Sequence, residues 1–317
     1  AFNAVTTITT SSGAAVRSMA AKKFRNYLLI YGNWGLPRLE LVGAGVASSL
    51  SHLVGFAMLA AYARFEPTAR RFQLFREVFT PHWGRLREVA KLAWPIGLTV
   101  AFEAMLFNAS VLLMGRIGVI ELAAHQIALN VASLAFMAPL GMSIAGGVRV
   151  GLMAGAGDRA GVRRAAATSI CVCVVVMAVL AAPGLLAPYW LAGLYLSDGS
   201  DGAAAVRALA AAFLPIAAAF ALFDAVQVAA AQALRGLKDV RVPLVLTAIS
   251  YWAIGFPAAA WLGLGTSFGA MGVWVGLLIA LAVASVLLGG RLWLLVREPR
   301  ATTPTSSTGL AETRAGS

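Results

Sequence analysis

The sequence is poor in charged residues and in residues that bind metals or form disulfides. Only 12% of its 317 residues are charged, whereas a soluble domain usually carries about 25%. The two cysteines, Cys171 and Cys173, lie two positions apart in one apolar stretch. On a helix this spacing points the side chains apart, so we expect free thiols. With only these cysteines and three histidines, we expect no zinc site and no cofactor.

Hydrophobic residues dominate the composition and indicate a protein that crosses the membrane several times. They make up 60% of the chain, and the mean hydropathy is +0.81. The net charge of +12 would also suit a nucleic-acid-binding protein, but the basic residues form no nucleic-acid motif. Most of them lie between apolar stretches instead, as the positive-inside rule describes. We therefore predict an all-α polytopic membrane protein with no nucleic-acid partner.

Seven apolar stretches are long enough to cross a bilayer, which takes about 20 residues. We predict spans at 41–63, 92–115, 121–148, 165–187, 204–234, 242–263 and 269–296. Before them, residues 26–32 (NYLLIYG) are too few to cross and are interpreted as the end of a span whose beginning is missing. Four prolines inside the spans predict kinks, which membrane helices tolerate: Pro95, Pro139, Pro215 and Pro257.

Basic residues predict the orientation, because they are concentrated in alternate connections. The connection 64–91 carries seven of them, and those near 156–164 and 235–241 and the segment after the last span are also basic. The positive-inside rule places these connections and the C-terminus in the cytoplasm. Residues 297–317, rich in Thr, Ser and Pro, are predicted to be a disordered tail.

The first 25 residues differ from the rest of the chain. They are rich in Ser and Thr, contain no acidic residue and do not begin with Met. A transit-like segment is one interpretation, and a non-native start on a truncated reading frame is the interpretation that we favour.

Two acidic residues stand out because each lies deep in a predicted span. Glu103 lies near the centre of the span 92–115, and Asp224 lies in the span 204–234. A carboxylate in hydrocarbon costs several kcal/mol unless it is paired, protonated or faces a wet cavity. We therefore predict that both face the bundle interior and bind a proton or a cation, the alternative being neutral, hydrogen-bonded structural acids.

Other polar residues are candidates for a supporting role. Asn108 follows Glu103 on its helix, and Gln227 lies three residues after Asp224, on the same face. His125 is interpreted first as part of a polar packing face, with a proton relay as the alternative. Gln126 and Asn130 have i,i+4 spacing and are expected to form an interhelical hydrogen-bond stripe.

Methionine and aromatic side chains near these positions could line a hydrophobic drug cavity, because they pack well around irregular ligands. They could equally face lipid or neighbouring helices. The candidates are Met105, Phe107, Phe136, Met137, Phe220 and Phe223.

Several stretches resemble the multidrug and toxic-compound extrusion (MATE) family, in its NorM-like bacterial branch. They are AAHQIALN at 123–130, FMAPLGMSIAGGVRVG at 136–151, DAVQVAAAQALRGLKD at 224–239 and SYW at 250–252, together with NYLLIYG, Leu36-Pro37 and VGAGVA. Motifs in this order make the resemblance specific, and it runs from about residue 26 to residue 296.

The resemblance implies twelve helices in two six-helix lobes around a central cavity, and export of lipophilic cationic drugs by H⁺ or Na⁺ antiport across the bacterial inner membrane. Residues 26–63 would then be the end of helix 5 and helix 6, residues 64–91 a cytoplasmic linker, and residues 92–296 the second lobe. Glu103 and Asp224 match the family's acids on helices 7 and 10. The resemblance implies a transporter and not an enzyme, with drugs and membrane lipid as its partners.

Two departures from the family qualify these expectations. The Na⁺-coupled members have a Tyr one turn before the helix-10 acid, and here that position is Phe220, which favours a proton as the coupling ion. The first lobe is also missing, so we expect this chain alone not to transport. The alternatives are a non-transporting membrane fragment and a flippase of lipid-linked sugars.

Overall fold

The computed structural model describes residues 40–65, 82–196 and 202–297. Their regular structure is entirely helical, without a β-strand in these three ranges. The helices are α1 (Glu40–Phe65), α2 (Trp83–Ile117), α3 (Val119–Gly155), α4 (Arg159–Leu186), α5 (Pro188–Gly193), α6 (Ala203–Gly236), α7 (Arg241–Leu264) and α8 (Ala270–Arg297). The predictions for residues 1–25, for residues 26–39 and for the tail after Arg297 lie outside the described residues.

Six of these helices are long and apolar enough to cross a membrane: α2, α3, α4, α6, α7 and α8. They correspond to the last six predicted spans, and α1 covers the first. The largest difference is at α2, which begins at Trp83 and not at residue 92. The added turns, WGRLREVAK, consist mostly of good helix formers, so the helix continues beyond its apolar part into the predicted linker.

Chain contacts divide the protein into two units, residues 1–86 and 87–317. In the second unit, α6 is the central helix and packs against α3, α4, α5 and α8. Its buried face consists largely of alanine, and small residues let membrane helices approach closely. The closest approach to α3 is at Gly147 and Gly236, where a Cβ on either glycine would overlap the backbone of the other helix.

Helix α7 is not uniform, because Ile249–Gly255 in its middle forms a π-helical segment. The backbone N–H of Phe256 donates to the carbonyl oxygen of Tyr251, five residues earlier, as this wider helix requires. Pro257 follows at once and has no N–H to donate. The backbone hydrogen-bond pattern therefore changes next to the proline that was predicted to distort the helix. The segment buries Ser250, Tyr251 and Gly255.

We expect Gly276→Ala to destabilise the contact between α7 and α8. A Cβ at Gly276 would overlap the backbone of Ala259, and overpacking of this kind costs about 1–3 kcal/mol. Gly290→Ala is the matched control, because a Cβ at Gly290 meets nothing within 4 Å. Thermal unfolding of the purified protein in detergent measures both variants. Equal melting temperatures would show that this contact is loose.

Candidate functional site

The two membrane acids line one cavity of about 220 Å³ between α2, α3 and α6. Glu103 comes from α2 and Asp224 from α6, whereas α3 contributes no acidic residue to the wall. The other lining residues are Phe107, Leu129, Ala132, Ser133, Phe136, Phe220 and Ala221. The cavity therefore combines two carboxyl groups with a mostly apolar wall.

Helical periodicity explains why these residues face the same space. On α2, Phe107 lies four residues after Glu103, which places both on one face. On α3, the lining residues Leu129, Ala132, Ser133 and Phe136 follow the i, i+3, i+4, i+7 pattern of a single helix face. Each helix thus contributes one stripe to the wall.

Asp224 is almost completely buried, with 5% of its surface exposed. Among the described residues, its Oδ1 atom has no hydrogen-bond partner, and neither has Oε1 of Gln227, one turn further along α6. In the described parts of the chain, neither Glu103 nor Asp224 forms an ion pair within 4 Å. A buried carboxyl group without a partner is costly when charged. The site can therefore take up a proton or a cation, or attract a positively charged ligand.

Aromatic rings form one side of the cavity. The rings of Phe107 and Phe220 meet edge to face, with centroids 5.9 Å apart. Phe220 also contacts Trp274 of α8 edge to face at 6.0 Å. Such rings offer an apolar surface to a lipophilic ligand, and their faces attract cations.

Three of the residues proposed from the sequence as cavity lining are not part of its wall. Met105, Met137 and Phe223 are 56%, 57% and 38% exposed and point away from it. Met105 lies two residues after Glu103, about 200° further around the helix. Met137 and Phe223 each lie next to a lining residue and are rotated by about 100°. Proximity in sequence was therefore a poor guide to the cavity.

The proposed amide residues also lie away from the cavity. Asn108 and Asn130 are exposed, and each donates its amide N–H to the backbone carbonyl oxygen four residues earlier, at Ala104 and Gln126. These bonds are 2.7 and 2.8 Å long. The Asn130 amide is therefore bonded within α3, since an asparagine in a helix readily bonds its own backbone. The interhelical stripe of Gln126 and Asn130 stays a prediction.

His125 is fully buried in the core beside the acid cavity and does not line it. Its Nε2 atom lies 3.3 Å from the Ser110 hydroxyl oxygen. Its ring meets Trp274 edge to face, with centroids 5.3 Å apart. These contacts from α2 and α8 support the packing interpretation of His125.

A larger cavity of about 840 Å³ lies between α3 and α4 and contains neither acid. Its wall includes Arg149 and Arg164, whose positive charges make it unsuitable for a cationic ligand.

Cys171 is exposed and Cys173 buried on α4, and neither is bridged. Across the described ranges, no three His, Cys, Asp or Glu side chains are grouped as metal ligands.

The residues that sequence reasoning missed are mainly small ones. Ala132, Ser133 and Ala221 line the acid cavity, and Tyr251 lies completely buried in the same core. The helical stripe through Phe136 could have identified the first two. Nothing in the sequence indicated the π-helical segment that contains Tyr251.

Comparison with known proteins places these features in a family. The MatE family model matches residues 95–261. "Probable multidrug resistance protein NorM" of Rhizobium meliloti is 45% identical over 271 residues, which are 86% of this chain and 58% of that protein. "Multidrug resistance protein NorM" of Burkholderia vietnamiensis is 40% identical over 281 residues, 87% of this chain and 60% of that protein. The chain thus spans about three-fifths of the length of these relatives.

Solved structures share the fold. A crystal structure of MATE in complex with MaL6 superposes with a TM-score of 0.74 at 21% identity and covers 89% of this chain and 62% of that one. A eukaryotic MATE transporter, AtDTX14, gives 0.72 at 20% identity, with 90% and 61% covered. At this identity the likeness concerns the fold alone, and it confirms the predicted MATE-type helical bundle.

Proposed function

Because this chain belongs to the MatE family, we propose that it contributes an acid site to multidrug efflux by cation-coupled antiport, in which lipophilic cationic drugs are exported as a proton moves inward. The observation that carries the proposal is the shared cavity of Glu103 and Asp224 with its aromatic wall. The carboxyl groups supply the attraction for a positive charge. The rings supply the apolar surface for the rest of the drug.

The acid cavity provides a simple means of exchange. With the carboxylates charged, a cationic drug is bound by electrostatic attraction at close range in a medium of low dielectric constant. Uptake of a proton neutralises a carboxylate and removes that attraction, so the drug is released. Since proton and drug compete for the same charge, entry of one is coupled to departure of the other.

The membrane arrangement follows from the same proposal. Charged residues at the ends of the helices indicate which side each end occupies. Arg159, Arg163 and Arg164 at the start of α4, and Arg235 at the end of α6, favour a cytoplasmic side for these ends. Arg297 favours the same side for the end of α8. We propose that the protein lies in the bacterial inner membrane with this C-terminal end inside, surrounded by lipid.

The lining of the cavity argues against a flippase of lipid-linked sugars. Such substrates carry negative phosphates, which arginine and lysine bind well. The wall of the acid cavity contains two acids and no basic residue. A negative substrate would therefore be repelled.

The function is tested by expressing the complete reading frame that contains this sequence in a bacterial host without its own drug pumps. We expect reduced accumulation of a fluorescent lipophilic cation and higher resistance to it, compared with the empty vector. A neutral dye of similar size is the control, because it lacks the charge that the acids attract. Unchanged accumulation, with the protein present in the membrane, would favour a non-transporting membrane protein.

A further inference from the structure

Tyr251 of α7 is a buried polar residue that the efflux proposal does not use. The residue is 1% exposed, and its hydroxyl group has no hydrogen-bond partner in the described part of the chain. It belongs to the same core cluster as Phe220 and Ala221, which line the acid cavity. Buried hydroxyl groups in proteins almost always find a partner, so an unpaired one in this position requires an explanation.

The hydroxyl group lies within electrostatic range of both Asp224 and Glu103. Oδ1 of Asp224 is a candidate partner, since among the described residues it is also buried and also lacks a partner. One group is a donor and the other an acceptor, and a single buried water commonly joins two such groups. A bridging water would therefore satisfy both atoms.

The π-helical segment of α7 explains how the tyrosine is held in this position. The wider turn of Ile249–Gly255 directs Tyr251 into the core and brings Gly255 against Ala280 of α8, where a Cβ would overlap the alanine. π-Helical turns often occur at functional sites. The backbone on which Tyr251 lies is thus fixed by close packing.

We infer that Tyr251 is a positioning residue of the acid site, whose hydroxyl group donates a hydrogen bond to the Asp224 carboxylate through one buried water. The bond stabilises the charged form of Asp224, which is the form that attracts a cationic drug. This inference rests on the proposed function of the acid cavity.

Among the described residues, Glu103 and Tyr251 interact electrostatically with Asp224, and Glu103 also interacts with Arg235. Tyr251→Phe removes the hydroxyl group and leaves these groups and the ring in place. Its effect is therefore attributable to the hydrogen bond.

The test is the pH dependence of binding of a fluorescent lipophilic cation to the purified full-length protein. In Tyr251→Phe the charged carboxylate loses a donor, so the pH of half-maximal binding moves upward by about one unit. Affinity well above that pH stays as in the unmodified protein. Tyr195→Phe is the matched control, since Tyr195 is 44% exposed and lies outside the acid cavity.

Infrared difference spectra of the protonated carboxyl band provide a second reading that does not depend on dye binding. In Tyr251→Phe, the pH at which this band is half-maximal is expected to move upward by the same amount. The role of Tyr251 would be overturned if the midpoint is unchanged in Tyr251→Phe while the separate variant Asp224→Asn loses the pH dependence. That result would leave the proposed function intact. If Asp224→Asn also leaves the pH dependence unchanged, the acid-site proposal itself is wrong.

Discussion

Asp224→Asn is expected to abolish drug resistance while the protein remains in the membrane at its normal level. Asparagine has nearly the same shape as aspartate, but it carries no charge and takes up no proton. Asp224 is almost completely buried beside the cavity and forms no ion pair within 4 Å with any described residue, so the substitution removes no such partner. Dye accumulation in the pump-deficient host should rise to the empty-vector value.

Asp158→Asn is the matched control, because the same chemical change there leaves the local structure in place. Asp158 caps the N-terminus of α4 by accepting a hydrogen bond of 2.8 Å from the Gly161 N–H, and asparagine caps a helix about as well as aspartate. Resistance should remain. Normal resistance in Asp224→Asn at normal expression would instead assign Asp224 to packing.

A proton gradient is expected to drive drug export, and a Na⁺ gradient alone is not. Hard cations take about six oxygen ligands. The wall of the acid cavity offers the carboxyl oxygens of Glu103 and Asp224 and the hydroxyl of Ser133, and its other side chains end in carbon. Phe220, one turn before Asp224, adds no oxygen. A proton needs only one of these oxygens.

Proteoliposomes containing the purified protein measure this expectation. Dye export is followed with an imposed pH difference at equal Na⁺, and with an imposed Na⁺ difference at equal pH. Liposomes carrying Asp224→Asn are the control for leakage of the dye. Export driven by Na⁺ alone would contradict proton coupling and leave the acid cavity as a Na⁺ site.

The membrane spans and the meeting of the two acids were predictable from sequence. Long apolar stretches determine where helices cross, and the cost of a charge in hydrocarbon directs Glu103 and Asp224 away from lipid. Helical spacing then places Phe107 and Phe220 beside them. The identification of the MATE family from its motifs is confirmed by the family match and the relatives.

The rotation of each helix about its axis was less predictable. An apolar helix in lipid can bury several of its faces at similar free energy. The side-chain types of Met105 and Met137 therefore suited a cavity wall, but both residues are exposed. The π-helical segment of α7 was also not predictable, because it depends on packing between Gly255 and Ala280. Tyr251 could therefore be assigned to the acid site only from the structure.

The most direct test of the acid cavity as a coupling site is proton release on drug binding. A lipophilic cation is added to the purified protein in weakly buffered detergent solution near the pH of half-maximal binding, and the protons released are counted with a pH indicator. If Glu103 and Asp224 exchange a proton for the drug, the unmodified protein releases protons as it binds, and Asp224→Asn releases none. Drug binding without proton release in the unmodified protein, or equal release from Asp224→Asn, would contradict this account.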